Sequence, residues 1–179
     1  DDAPEVDLPP IPQSDFDWAE ATNDATTGIS GSYTYDAATS AFESTGTVTL
    51  SEGTYFFSSI ILKNSASLVI PPGDNVTIYV TGDIELKNSA EMNDGGKPSQ
   101  LLIYSQGDFV LKNSGDIYAA FYNPEGEADL RNSGEFYGSV TAYDIIAHNS
   151  AQFHYDRDLG DVSTGRSGEW DVVETSPRS

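Results

Sequence analysis

The sequence predicts an all-β fold, an irregular right-handed parallel β-helix (a β-solenoid) of about five or six coils. The first observation is composition, because strand-forming residues dominate while 16 glycines and 9 prolines interrupt the chain with turns. The second is a seven-residue motif that recurs five times, and the third is the uneven spacing of its copies. A chain of 179 residues suits one compact domain, or one domain with tails.

The motif reads apolar, basic, Asn, Ser, small, polar, apolar. Its copies occupy residues 62–68, 86–92, 111–117, 130–136 and 147–153, and their asparagines are 24, 25, 19 and 17 residues apart. A fixed motif at variable spacing disfavours stacked helical repeats and favours a solenoid, in which extra residues leave the coil at one corner. We therefore expect both apolar positions to point inward, the polar position to face water, and Asn-Ser to form the corner.

The motif asparagines are expected to lie one above another along a common axis. Stacked amides can bond one another and the backbone groups that the corner leaves free. The simpler interpretation, which we favour, is that Asn-Ser is good corner chemistry. The predicted column consists of Asn64, Asn88, Asn113, Asn132 and Asn149.

The chain divides into four predicted parts. Residues 1–13 form a Pro-rich linker or extended N-terminus, and residues 14–46 form an N-terminal cap region. Residues 47–159 form the solenoid, and residues 160–179 form a C-terminal strand and tail.

One helix is predicted, over residues 15–24, with Ser14 or Asp15 as its N-cap and Trp18 facing a core. Because open coil edges invite aggregation, Trp18 and Trp170 are the candidates to cover the two ends. Predicted strands lie at residues 76–80, 101–104, 136–142, 143–146 and 169–173.

The basic position of the motif predicts a column of cations on one face. Stacked like charges repel one another, so the column needs anionic partners. We favour internal partners, for which the candidates are Glu85, Asp108, Asp116, Asp129 and Glu135. In the alternative, the column binds an acidic polysaccharide or a carboxylate-rich patch of a neighbouring subunit. The column consists of Lys63, Lys87, Lys112, Arg131 and His148.

Net charge excludes several classes of partner. The chain has 8 basic and 29 acidic residues, a net charge of −21, so nucleic acid and anionic lipid are disfavoured. No apolar run approaches the ~20 residues of a membrane span, which predicts no direct membrane insertion. The absence of cysteine removes disulfides and thiolate chemistry. The same acidity also fits adaptation to high salt.

Catalytic motifs are scarce, so we predict a protein that is not an enzyme. The two histidines, His148 and His154, have no recognisable nucleophile beside them in a motif such as Gly-x-Ser-x-Gly. No cofactor is expected, with calcium as the one inorganic ligand worth testing. Carboxylates recur at short intervals at Asp156, Asp158 and Asp161, but Ser167 stands where a calcium loop carries its bidentate Glu.

Residues 47–159 resemble a known family. The runs that carry the resemblance are residues 53–57, 75–82, 116–124, 133–142 and 151–159, and the Phe-His-Tyr-Asp of residues 153–156 is the most specific part. They resemble the secreted solenoid domain that follows a pilin-like segment in some bacterial type IV pilus-assembly proteins (PilX-like, associated with minor pilins). Two features depart from the family: an apolar pilin helix is missing, and Phe-Tyr-Asn-Pro at residues 121–124 replaces its Tyr-Ala-Pro.

The resemblance implies an exported, non-enzymatic module at the cell surface, in adhesion or pilus assembly. Its partners would be other pilus or surface proteins, or an extracellular glycan, and the chain would be part of a longer protein. Two alternatives remain. A carbohydrate-binding or carbohydrate-active β-helix protein would have a glycan site, which in an enzyme is a cleft with two carboxylates in reach of each other. A bactofilin-like solenoid would assemble into filaments.

Overall fold

A computed structural model describes residues 7–112, 114–157 and 159. Parallel strands coil about six times around one axis, which confirms the predicted all-β solenoid. Neighbouring coils pair in register, because Ile60 on one coil is opposite Ile84 on the next, and Ile84 is opposite Phe109. The strands cover three lateral faces, called here the first, second and third face in the order in which each coil crosses them.

The described part begins with one helix, α1 (Gln13–Ala21), and a 3-10 turn (Asp24–Thr26), and a second 3-10 turn spans Pro98–Gln100. The strands are β1 (Ile29–Asp36), β2 (Ala41–Leu50), β3 (Gly53–Phe57), β4 (Ser59–Leu62), β5 (Ser67–Val69), β6 (Val76–Val80), β7 (Ile84–Leu86), β8 (Glu91–Met92), β9 (Leu101–Ser105), β10 (Phe109–Leu111), β11 (Asp116–Leu130), β12 (Glu135–Ala147) and β13 (Gln152–Tyr155).

The first face contains β4, β7 and β10, the second contains β5, β8 and β13, and the third contains β3, β6 and β9. Strand β2 contributes to the first and second faces, because it pairs with both β4 and β5. Strands β11 and β12 are long enough to contribute to all three. The strands predicted over residues 136–142 and 143–146 are therefore one continuous strand.

Extra residues leave the coil at one corner, between the second and third faces. Residues 70–75 connect β5 to β6 and residues 93–100 connect β8 to β9, whereas β11 and β12 cross the same corner without a loop. The presence or absence of loops at this corner explains most of the shortening of the motif spacing from 25 to 17 residues. At the next corner, between the third and first faces, the Asn123 carboxamide donates to the Gly107 carbonyl at 2.6 Å and accepts from the Gly126 amide at 2.9 Å.

The core is a continuous apolar column inside the coils. At the first apolar position of the motif Leu62, Leu86, Leu111 and Leu130 are fully buried, as the pattern predicts. The fifth copy is an exception, because Ala147 and Phe153 are exposed. The inward prediction was wrong for this copy because, within the described residues, no later coil packs over it.

The N-terminal end of the solenoid is covered by β1. This strand pairs antiparallel with β2, with Ile29 opposite Leu50, on the edge that faces away from β4 and β5. Trp18 instead packs on the third face, with its ring centroid 6.5 Å from that of Tyr79. The expectation that Trp18 covers an end of the solenoid was therefore wrong.

Helix α1 packs with Phe16 and Ala19 against Phe56. It begins and ends earlier than the predicted 15–24, and its N-cap position is Pro12 with no side-chain hydrogen bond, so the prediction of Ser14 or Asp15 as the cap was wrong. Proline fixes φ near the helical value, and the Asp15 amide donates to the Pro12 carbonyl at 2.9 Å. The helix thus begins upstream of Ser14 and Asp15.

Residues 7–12 lie along the third face without regular secondary structure. The Tyr122 hydroxyl donates to the Pro9 carbonyl at 2.5 Å, and the Gln106 carboxamide donates to that of Gln13 at 3.3 Å. The segment therefore spans several coils. No described helix is long and apolar enough to cross a membrane. The predicted strand at residues 169–173 and Trp170 lie outside the described residues.

Candidate functional site

The basic column lies at the corner between the first and second faces, where each motif copy leaves its first-face strand. Backbone hydrogen bonds keep the copies in step: the Lys87 amide donates to the Leu62 carbonyl at 2.8 Å, and the His148 amide donates to the Leu130 carbonyl at 2.8 Å. The structure thus brings together the five cationic positions that the sequence predicts, namely Lys63, Lys87, Lys112, Arg131 and His148.

A second column runs beside the cations, two residues earlier on each coil. Carboxylates and aliphatic side chains alternate along it, so that an acidic residue occurs on every other coil. In register the column reads Glu43, Ile61, Glu85, Val110, Asp129 and Ile146. The alternation separates the like charges by two strand spacings, about 9–10 Å, which reduces their repulsion.

Each carboxylate of this acidic column pairs with cations of its own coil, of the next coil, or of both. Glu43 lies 2.7 Å from the Lys63 ammonium on the next coil. Glu85 contacts Lys87 on its own coil and lies 2.7 Å from Lys112 on the next.

Asp129 completes the pairing. It accepts from the Arg131 guanidinium at 2.5 Å through Oδ2, and its Oδ1 lies 3.5 Å from His148 Nε2. Asp129 is only 3% exposed, so an uncompensated charge there would be costly. Three carboxylates therefore serve five cationic positions.

These contacts favour internal partners, as the sequence suggested, and they show which of the candidate carboxylates contact the cations. Glu85 and Asp129 are partners, whereas Asp116 and Glu135 lie on the second face. Asp108 accepts a backbone hydrogen bond from Glu127 instead. Sequence reasoning missed Glu43, because no cation follows it two residues later and only the register of β2 and β4 places it opposite Ile61. The pKa of Glu85 is lowered, chiefly by the hydrogen bond from Lys112 and then by that from Lys87.

The asparagine column is present at the corners. Asn64, Asn88, Asn132 and Asn149 have φ between 57° and 63°, a left-handed conformation that asparagine tolerates better than most residues. The Asn88 carboxamide donates to that of Asn64 at 3.4 Å, and the Asn149 carboxamide donates to that of Asn132 at 3.1 Å. Asn113 lies outside the described residues. Corner geometry thus accounts for the recurrence of asparagine at this motif position.

The second face carries a further ladder that the sequence did not suggest. The rings of Tyr118, Tyr137 and His154 stack on successive coils, with centroids 4.4 Å apart at both steps. Glu135 accepts from the Tyr137 hydroxyl at 2.5 Å and lies 3.1 Å from His154 Nε2. The Tyr137 hydroxyl lowers the pKa of Glu135, and this bond in turn raises the pKa of Tyr137 to about 12. All three residues follow the polar motif position by two, which was the available signal.

Stacked rings of this kind present their edges to solvent. A sugar ring packs on the face of an aromatic side chain, and here each internal face is covered by the next ring. Two acidic residues beside the stack, Glu91 and Asp116, have raised pKa values because burial disfavours their charged forms and neighbouring carboxylates add to the effect.

The last coil exposes large apolar side chains. Tyr143 is 73% exposed, Tyr155 68%, Ile145 45% and Phe153 39%. Residues 139–147 of β12 pair with β11 on one side, while no described strand pairs with their other side. We call this region the open end. A groove of about 1190 Å³ adjoins it, lined by residues of β12 and by Asp7, Leu8, Pro10, Pro124 and Glu125.

The calcium prediction involves Asp156, Asp158 and Asp161. Asp156 belongs to the described residues, whereas Asp158 and Asp161 lie outside them. Among the residues that are described, no group of three or more histidine or acidic side chains could hold a metal ion.

The geometry defines a class, a β-solenoid module with internally paired lateral columns and one open end. The chain belongs to the family described as domain of unknown function DUF7305, whose model matches residues 13–162. No curated protein and no solved structure gave a significant match.

Proposed function

We propose that this domain is a non-enzymatic structural and binding module of a bacterial surface appendage, exported and displayed outside the cell. The resemblance of residues 47–159 to type IV pilus-assembly proteins suggests the setting. The observation that carries the proposal is the contrast between the lateral faces and the open end. Ion pairs, carboxamides and stacked rings contact one another along the corner and second-face columns, whereas the open end combines exposed apolar side chains with a strand edge that no described strand pairs.

A solenoid of this kind suits a spacer that holds a binding surface at a fixed position. Successive coils are joined by backbone ladders and by ion pairs such as that between Lys112 and Glu85. Exposed apolar patches on soluble proteins mark interaction sites, and unpaired strand edges accept a partner strand by β-augmentation. Both features coincide on β12.

The proposed occupant of the open end is a strand of another appendage protein that carries basic residues. Charge supports this choice, because a chain of net charge −21 repels a second copy of itself and attracts a cationic surface. Acidic residues lie next to the apolar patch, with Asp144 exposed on β12 and Asp7 and Glu125 lining the groove. The unpaired edge would supply the main-chain hydrogen bonds, and Tyr143 and Ile145 the apolar contacts.

Site-specific photo-crosslinking in producing cells tests this proposal. A crosslinker at position 145 should join the protein to an appendage component, while one at position 69 should not, because Val69 is a comparably exposed apolar residue on the second face. Ile145→Lys should abolish appendage assembly or adhesion, and Val69→Lys should leave both intact. Crosslinks from position 145 only to this same chain would overturn the proposal in favour of self-association.

Self-assembly is the alternative that the open end also supports. However, β1 covers the first coil, so association through the single open end would close as a pair instead of propagating into a filament. Sedimentation of the purified chain distinguishes the three cases, with a monomer expected here, a dimer for pairing, and large polymers for a bactofilin-like role.

Glycan binding is the other alternative, supported by the concentration of cations in one column. Isothermal titration with an acidic polysaccharide such as polygalacturonate tests it. Because each cation already has a carboxylate partner, we expect no binding at physiological salt. Binding that disappears when Lys63, Lys87, Lys112 and Arg131 are all changed to Gln, in a variant that still folds, would establish the glycan role.

A further inference from the structure

One asparagine lies in a sequence that differs from all the others. Asn75-Val76-Thr77 has the form Asn-x-Thr with x other than proline, which is the acceptor pattern for N-linked glycans on surface loops of exported proteins. The motif asparagines are followed two residues later by Ala or Gly, so none has this form. Asn75 is the single match in the 179 residues.

The backbone presents this tripeptide in the required orientation. Val76, the first residue of β6, is 1% exposed and points into the core, whereas Asn75 is exposed. Side chains alternate along an extended chain, so Asn75 and Thr77 lie on the same outward side. Thr77 is half-buried, and alternation places its hydroxyl on the same side of the chain as the acceptor carboxamide.

The surroundings leave room for a large substituent. Asn75 ends the loop of residues 70–75, at the corner where coils of this solenoid accommodate insertions. A side-chain carbon added at nearby Gly73 would meet nothing within 4 Å, so this part of the loop faces open solvent.

The bonds that hold the loop do not involve the acceptor group. The Asn75 backbone carbonyl accepts from the Gly53 amide at 3.1 Å, and the Gln100 side chain donates to the carbonyls of Pro71 and Asp74. Within the part of the chain that the structure describes, the Asn75 carboxamide itself makes no hydrogen bond. A substituent on it would therefore break no contact of the fold.

We propose that Asn75 is an N-glycosylation site whose donor is an oligosaccharide linked to a polyprenyl phosphate or diphosphate. The Asn75 Nδ2 atom forms a bond to the anomeric carbon of the first sugar. The bond from that carbon to the phosphate oxygen breaks, the electron pair leaves with the lipid phosphate, and one amide proton passes to a base of the transferase. The inference rests on the proposed function in one respect, because such transferases act on exported chains.

Mass spectrometry of the full-length protein recovered from outside its own cells tests the site. The tryptic peptide of residues 64–87 should carry an added oligosaccharide mass on Asn75, with Asn64 in the same peptide unmodified. Asn75→Gln and Thr77→Val should both lose the added mass, while Thr77→Ser should keep it. Thr77→Val keeps a branched side chain in β6. Loss of the added mass in this variant would therefore result from the missing hydroxyl and not from a disturbed fold. Secreted protein with Asn75 entirely unmodified would overturn the proposal.

Failure of export must be distinguished from failure of the site. Protein found only inside the cell would contradict the proposed function. Whether Asn75 can accept an oligosaccharide is then tested in vitro. In that assay the purified full chain is incubated with an oligosaccharyltransferase and a lipid-linked oligosaccharide. Transfer to wild type but not to Thr77→Val supports Asn75 as an acceptor, and absence of transfer to wild type contradicts it.

Discussion

The Lys112 ammonium donates a hydrogen bond to the Glu85 carboxylate at 2.7 Å, although the two residues are 27 positions apart and on successive coils. The same carboxylate also contacts Lys87. One acidic side chain thus neutralises the cations of two coils and joins those coils to each other. The column of like charges that the repeat imposes is stable because an acidic residue recurs on every other coil.

Removing this shared carboxylate should destabilise the fold. We expect Glu85→Gln to lower the free energy of unfolding by about 1 kcal/mol, since two partly exposed ion pairs are lost and two lysines are left stacked. Glu43→Gln is the matched control, because Glu43 serves Lys63 alone, and it should cost roughly half as much. Chemical denaturation at neutral pH measures both, and equal losses would contradict the shared role.

The stabilisation that Glu85 provides should depend on pH. The folded-state pKa of Glu85 lies below its ordinary value of 4.5, so the stabilisation is fully present above that value and is lost as the pH falls through the folded pKa. The difference between wild type and Glu85→Gln should therefore be constant from pH 7 to about pH 5 and shrink below the ordinary value. A difference that stays unchanged at pH 2–3 would mean that packing, and not charge, makes the contribution.

Asp116 should show the opposite behaviour. Burial raises its pKa, with the charges of Glu135 and Asp94 adding to the shift, so the ionised form costs stability at neutral pH. Asp116→Asn is expected to stabilise the protein by about 0.5 kcal/mol at pH 7 and to have no effect at pH 3, where the wild-type carboxyl is protonated. Stabilisation that persists at pH 3 would contradict the electrostatic explanation.

The matched control for Asp116→Asn is Glu135→Gln, because Glu135 lies opposite Asp116 on the next coil. Glu135 accepts hydrogen bonds in its charged form, and its pKa is lowered. This substitution should destabilise the protein at pH 7 by weakening the bond from Tyr137. Two neighbouring carboxylates in one column are therefore expected to differ in the sign of their effect, which thermal unfolding at two pH values will show.

Sequence patterns were most informative at positions where the backbone conformation restricts the residue type. The corner asparagines could be predicted because a left-handed φ restricts the residue type, and the repeated corner sets the register of the coils. The motif did not reveal the first coil. That coil turns from Ser44 to Val48 with two residues fewer than the next coil uses between Leu62 and Leu68, so it has no copy of the motif.

Contacts between coils were harder to predict because they depend on register and not on local sequence. Glu43 pairs with Lys63 only because the first coil stacks Glu43 on Ile61. The stacked Tyr118 and Tyr137 likewise meet through alignment of strands far apart in sequence. Exposure of Phe153 could not be read from its motif position, because burial in a solenoid requires a further coil above.

The conformation at a corner can be separated from the carboxamide ladder. Asn88 has φ 63°, where a residue with a side chain is strained by about 1–2 kcal/mol unless it is of the tolerant type. We expect Asn88→Ala to lower the free energy of unfolding by about 1 kcal/mol and Asn88→Gly to lower it by less than about 0.5 kcal/mol, because glycine adopts this φ freely. Equal losses in the two variants would assign the contribution to the hydrogen bond with Asn64.

Two phenylalanines of one column compare the interior with the open end. Phe136 is buried and Phe153 lies opposite it on the last coil, 39% exposed. Phe136→Ala should lower the free energy of unfolding by about 3–5 kcal/mol by leaving a cavity, and Phe153→Ala by less than half as much, because less surface is withdrawn from water. Urea denaturation of both variants gives the comparison. Equal losses would show that Phe153 is covered in solution, and sedimentation at the same concentrations would then decide whether a second copy covers it.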